Sequence, residues 1–249
     1  MLVLGLDIAT ETGWALLDSD DGSLVDYGLI RVDSRMALPQ RLHYFHLEIT
    51  RLCERTQPVI CFIEDVILGI SGAKTLAYLG RLNGVAINAV FGVLQERVEL
   101  YKPTEWKANS FAGLGGMAKK WQIQLACIKH FNIPITGNFE HIDKVIYDNE
   151  YGVALLKESI QTTRGDINKL KSSLVRKRNP LPISDINPVK ESISQKTKLI
   201  SDTKARQKSN EKVFQKAMSK ISLDISAQTG MTPDICDSCG VAVCGIKQL

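Results

Sequence analysis

Several familiar signals are missing from this sequence, and each absence narrows what the chain can be. No basic segment leads into a short apolar stretch, so no secretory leader is expected. No apolar run of bilayer-spanning length is expected either, which points to a cytoplasmic protein with no membrane partner. The Cys-x-x-Cys spacing occurs once, at Cys236 and Cys239, without a second pair at a suitable distance. A structural zinc site needs four ligands, so packing thiols are the better reading. His43, His46, His130 and His141 show no metal-ligand spacing. All six cysteines fall in apolar segments, as expected of buried thiols in a reducing compartment. The charge imbalance is small: a formal +4 and a pI near 8.7 permit a nucleic-acid partner without requiring one.

What is present is a regular succession of short apolar runs. Leu2 to Asp7 reads as a buried strand ending on a carboxylate, and Val59 to Asp65 reads the same way, ending on Glu64 and Asp65. Trp14 to Leu17 and Leu24 to Val32 are two further strands, separated by the turn signal Asp20-Asp21-Gly22-Ser23. Pro39 opens a helix with Leu42, Phe45, Ile49 and Leu52 at helical spacing. A small-residue helix is expected from Ala73 to about Phe91, and Val98 to Tyr101 forms a fifth strand. Pro103 to Lys107 starts a short helix. The Gly-rich loop Gly113-Leu114-Gly115-Gly116 precedes another, from Lys119 to about Phe131. A three-stranded meander joined to βαβ units gives a five-stranded mixed sheet flanked by helices. If the first and fourth strands are neighbours in that sheet, Asp7 and Glu64 meet where α/β sheets place their ligands.

The composition changes after Phe131. From Glu150 to Asp224 there are 16 Lys and Arg against 8 Asp and Glu, with Pro180, Pro182 and Pro188 forming a break. Residues 133–230 read as a basic, mostly helical and partly disordered insertion. Residues 1–132 and 231–249 then form the domain around the sheet. Such a segment is by default a solvated surface that touches nothing; contact with nucleic-acid phosphates without sequence preference is the sharper reading, and docking a protein partner is a further alternative.

The last element supplies more acid. Thr232 is a plausible N-cap with Pro233 at the first helical position. Asp234 and Asp237 are three apart and project from one face of the first turn, and small residues follow. Asp143 and Asp148 are rivals, but they are five apart and no small-residue helix follows them. Asp7, Glu64, Asp234 and Asp237 form a candidate set of four carboxylates. Packed together they would repel one another, a cost that divalent cations remove; hard oxygen ligands suit Mg²⁺ or Mn²⁺.

At this point the chain resembles the RuvC family of Holliday junction resolvases, of ribonuclease H-like fold. The resemblance runs through Leu4 to Asp7 with Thr12-Gly13-Trp14, Ile63 to Val66, and Leu79 to Ile87. It continues in Pro103 to Lys107, Lys120 to Gln124, and Asp234 to Asp237. It implies a homodimeric endonuclease that cuts branched, four-way DNA with two Mg²⁺ ions per site (Mn²⁺ as substitute). Asp7, Glu64, Asp234 and Asp237 would be the metal ligands, with Lys107 and Lys120 at the scissile phosphates. Lys74, Arg81 and Lys119 are the further basic residues expected on DNA. Ile67 stands where the family often has an aromatic residue and could wedge between bases without stacking. The spacing departs from the family: 117 positions separate Lys120 from Asp237. Two other classes compete. Sugar kinases and Hsp70-type ATPases also open with an apolar strand and an Asp, but their duplicated Gly-rich phosphate hairpin is not found. A non-catalytic junction-binding scaffold would have no use for an acidic pocket.

Overall fold

The structure is a computed structural model that describes residues 1–66, 72–95, 97–111, 114–116, 118–135, 139–174 and 183–249. Strands β1 (Leu2–Asp7), β2 (Glu11–Asp18), β3 (Leu24–Arg31), β4 (Ile60–Glu64) and β5 (Val98–Tyr101) form one sheet in the order β3-β2-β1-β4-β5. β1 pairs antiparallel with β2 and parallel with β4, and β4 pairs parallel with β5. The mixed sheet is therefore present with β1 and β4 adjacent at its centre. β2 begins at Glu11, three residues before the expected Trp14, because Asp7 already pairs with Gly13 and Thr12 with Ile30.

The two faces of the sheet are sorted by the period-two alternation of strands. Leu4 and Leu6 of β1 and Cys61 and Ile63 of β4 belong to one buried cluster. With them lie Phe45, Ile49 and Leu52 of α1 (Leu38–Thr56) and Leu82, Ala86 and Val90 of α2 (Ala73–Leu94). α2 has a mean hydropathy of 1.3 over its most apolar window, so by length and composition it could cross a membrane, contrary to the expectation from sequence. Its buried face nevertheless belongs to this cluster, and Asn83 on that face bonds the end of β4, so α2 is a core helix.

The alternate positions of β1, namely Val3, Gly5 and Asp7, share the opposite face with Phe62 and Glu64 of β4. Against this face lies α7 (Pro233–Ile246), which is buried from Ile235 to Gly245. Two glycines permit the approach. A β-carbon on Gly5 would stand 2.3 Å from the Ser238 carbonyl oxygen, and one on Gly13 would stand 2.1 Å from that of Asp234. No side chain fits at either position, so α7 rides directly on the backbone of β1 and β2. α3 (Pro103–Asn109) and α4 (Lys120–His130) complete this layer. The six cysteines are free and buried, as expected of packing thiols.

The chain divides into two compact units: residues 1–135 with 221–249, and residues 136–220. The second consists of α5 (Phe139–Leu174) and the first part of α6 (Ile183–Thr229). Within it the Lys196 ammonium donates to Asp166 Oδ2 at 2.8 Å, tying α6 to α5. Of the expected proline break, Pro180 and Pro182 lie outside the described residues, while Pro188 sits inside α6. A proline so near a helix start removes few intrahelical bonds. Composition groups residues 221–229 with the basic segment, yet they pack with the sheet unit. The Gln124 side-chain amide donates to the Ser222 carbonyl, Ser226 Oγ and the Met231 carbonyl, and the Tyr27 hydroxyl donates to the Thr229 carbonyl.

Candidate active site

Three carboxylates converge at the carboxyl end of β1. Asp7 arrives there because it is the last residue of a buried strand, and Leu6 is paired with Ile63, so Glu64 closes the neighbouring strand at the same end. Asp234 and Asp237 arrive because α7 starts above Gly13. Its start is fixed by Thr232, whose hydroxyl accepts from the Ile235 amide, and by Pro233 at the first position. One carboxylate oxygen from each of Asp7, Asp234 and Asp237 lies within 4.8 Å of the other two. Glu64 is not part of that set. Its Oε2 accepts from the Trp106 indole at 2.7 Å, and its backbone carbonyl accepts from the Asn83 amide at 3.0 Å.

Lys120, the first residue of α4, reaches into the set. Its Nζ donates to Asp234 Oδ1 at 2.6 Å and stands 3.9 Å from Asp237 Oδ2. Burial pulls the Lys120 pKa down, but the Asp234 hydrogen bond and the neighbouring carboxylates outweigh it, and the net shift is upward. The carboxyls show the opposite strain. Burial, reinforced by Glu64 and Asp237, raises Asp7 well above the usual carboxylate range. Burial also pushes Asp237 up to about 7, despite the relief given by Lys120. Glu64 is raised by burial and partly relieved by the Trp106 hydrogen bond, then by Lys107 and Lys120. The Lys107 Nζ lies 5.1 Å from the centre of the Trp106 ring, a cation–π arrangement that keeps it beside Glu64.

These residues fit a hard divalent cation. The donors are all carboxylate oxygens, and Asp237 Oδ1 is buried with no hydrogen-bond partner among the described residues. An unpaired buried carboxylate oxygen is costly unless a cation meets it.

The sequence-derived residues therefore divide. Asp7, Asp234, Asp237 and Lys120 are brought into direct contact distance, and Glu64 and Lys107 flank them. Lys74 and Arg81 are exposed on α2 and make no ion pair or hydrogen bond with the acidic set. Arg81 instead lines a groove of about 470 Å³ between α1 and α2, with Leu42, His43, His46 and Gly84. Lys119 is the exposed N-cap residue of α4, its backbone amide bonded to Gln122 Oε1 at 2.8 Å. Ile67 lies outside the described residues, as do Gly113 of the Gly-rich loop and the side chain of Asp143. Asp148 is exposed on α5. Sequence reasoning gave no role to Trp106, Asn83 or Gln124, although all three fall within the motifs quoted for the resemblance. The signal was a polar or indole N–H donor inside an apolar helix, which must find an acceptor once buried.

A mixed sheet with a central parallel pair, both strands ending in acid and a helix adding two carboxylates, defines an α/β protein with a candidate metal site. The family model described as Crossover junction endodeoxyribonuclease RuvC matches residues 3–144, more than half of the chain. The chain belongs to this family. Curated relatives of that same name are similar over the same region. The one from Solidesulfovibrio magneticus is 32% identical over 144 residues, covering 54% of this chain and 83% of the relative. The one from Acidobacterium capsulatum is 28% identical over 144 residues, covering 54% and 82%. For Magnetococcus marinus the match is 34% identical over 90 residues and spans only 49% of the relative. The solved RuvC of Thermus thermophilus covers 55% of this chain and 84% of its own, at 18% identity and a TM-score of 0.47. A further structure shows that protein in complex with a Holliday junction substrate. The family match takes in Asp7, Glu64, Lys107 and Lys120 but stops before Asp234 and Asp237.

Proposed function

We propose that the protein is a structure-selective endonuclease that resolves four-way or branched DNA junctions by metal-dependent phosphodiester hydrolysis. The observation that carries this reading is the contact set of Asp7, Asp234 and Asp237 with Lys120, assembled in a chain of this family. Asp7, Glu64, Asp234 and Asp237 are the ligands we assign to two Mg²⁺ ions, for which Mn²⁺ would substitute. Such ions supply an activated water and stabilise the leaving oxygen. The chain's own residues do the rest. Trp106 holds one oxygen of the Glu64 carboxylate and Asn83 fixes its backbone, which keeps Glu64 beside the set for the ligand role we assign to it. Lys120 offsets the repulsion among the carboxylates and would present an ammonium to a phosphate oxygen at their edge. Lys107, held over the Trp106 ring, supplies a second ammonium on the Glu64 side.

Glu64→Gln tests the assignment. It keeps the Trp106 contact and the side-chain shape but loses the charge. Junction cleavage in Mg²⁺ is expected to fall about 10³-fold, an effect of the size seen when a group that stabilises the transition state is removed. Binding to the uncut junction should be retained. Full cleavage by the purified variant would remove Glu64 from the site.

Two symmetric cuts need two sites related by a twofold axis, so we also propose a homodimer through α2. Gly80 and Gly84 face open space, Phe91 is half exposed, and the α1–α2 groove lies on this face. Sedimentation of the full chain at micromolar concentration should give a dimer; a monomer, both free and on junction DNA, would exclude it.

A further inference from the structure

The charges of the chain are segregated between its two units. Residues 136–220 hold 17 Lys and Arg against 10 Asp and Glu, a net of +7. The sheet unit holds 14 against 17, a net of −3. The excess is not spread evenly. In α6, Lys204, Lys208, Lys212, Lys216 and Lys220 recur at every fourth residue. Residues four apart are neighbours on a helix surface, so these five form one ridge, each step rising about 6 Å and turning about 40°. All five are exposed, and among the described residues none has an ion-pair or hydrogen-bond partner. Lys196, earlier on the same helix, shows the contrast, since it is paired with Asp166.

Like charges at this spacing disfavour the helix that carries them. Four consecutive like-charged steps on one ridge therefore work against α6 unless a polyanion meets them. We infer that the ridge Lys204–Lys208–Lys212–Lys216–Lys220 binds the phosphate backbone of duplex DNA without reading sequence. This rests on the function proposed above for the choice of DNA as the polyanion. A lipid surface fits less well. An interfacial helix needs a continuous face of large apolar side chains opposite its basic face; along Lys204 to Lys220 the large apolar residues are Val213, Phe214 and Met218, of which Met218 is buried, and none lies in the first two turns.

The experiment measures binding of the full chain to a short linear duplex in EDTA, where no cleavage occurs, between about 50 and 200 mM salt. Replacing all five lysines by Gln keeps helix propensity and removes the repulsion. The slope of log affinity against log salt is expected to become shallower by about 2 to 3, given roughly 0.9 per phosphate contact and a ridge that turns about 160° from end to end, so that not all five lysines face one duplex. Affinity at the lower salt should fall at least about tenfold, while cleavage of a four-way junction in Mg²⁺ persists at low salt. The matching Lys→Arg variant keeps every charge and should keep the wild-type slope. An unchanged slope in the Gln variant overturns the inference, as does an equal loss in the Arg variant. Loss of binding to phosphatidylserine vesicles with DNA binding intact would also overturn it, in favour of a membrane surface. A wild-type protein that leaves the junction uncut in Mg²⁺ but shows the Gln-dependent slope would refute the endonuclease reading and leave the DNA ridge standing.

Discussion

The two units of the chain are built on opposite principles. In residues 1–135 with 221–249, position is set by close packing: α7 touches the backbone of β1 and β2 through Gly5 and Gly13, and acids are carried into the interior. In residues 136–220, two long helices bury few side chains, Ile160 and Ile167 among them, and charge is the dominant feature. The first arrangement tolerates almost no change of volume; the second tolerates most changes that respect helix propensity. A site that must hold carboxylates against their mutual repulsion needs the first kind of unit, because only a rigid frame can keep like charges together.

Substitutions should separate the two accordingly. The largest effect is expected from Gly13→Val. Its side chain would collide with the Asp234 carbonyl, so α7 must move, costing about 1–3 kcal/mol of stability and dispersing the acidic set. Urea denaturation and Mg²⁺-dependent cleavage should both register it. A variant as stable and active as the parent would show that α7 does not depend on that contact.

A second effect confined to the sheet unit concerns pH. Asp7 is raised well above the usual carboxylate range and Asp237 is raised from 3.8 to about 7, so over that window the folded state binds more protons than the unfolded one. Stability of the cation-free protein should therefore fall as pH rises from about 4 to about 7. Saturating Mg²⁺ should flatten that fall, because a cation replaces the proton. Thermal melts across the range, with EDTA and with Mg²⁺, check this, and a profile that rises toward neutrality in EDTA would contradict it.

The smallest effect is expected in the basic unit. Asp166→Asn breaks the pairing with Lys196, but both side chains are about a third or more exposed. Partly exposed pairs contribute about 0.2–1 kcal/mol, so the melting temperature should barely move. A large destabilisation would mean that the α5–α6 contact is a packed core rather than a loose pairing.

By itself the sequence determined the strand and helix succession, because alternation and helical spacing are local properties of the chain. Leu2 to Asp7 and Ile60 to Glu64 could be read as buried strands ending in acid, and Thr232-Pro233 could be read as a helix start. Asp234 and Asp237 could be nominated through the chemistry of clustered carboxylates, although 117 positions separate Lys120 from Asp237. Only the tertiary structure decided which groups meet. That Lys120 bonds Asp234, that Trp106 rather than a neighbouring acid holds Glu64, and that Gln124 fixes the last turns of α6 are long-range contacts with no periodic signature. Residues 221–229 are a further case. Composition counts charges along the chain, whereas residues 221–229 join the sheet unit through hydrogen bonds to Gln124 and Tyr27. Local pattern specifies elements, but a buried polar atom takes its partner from whatever the fold brings beside it.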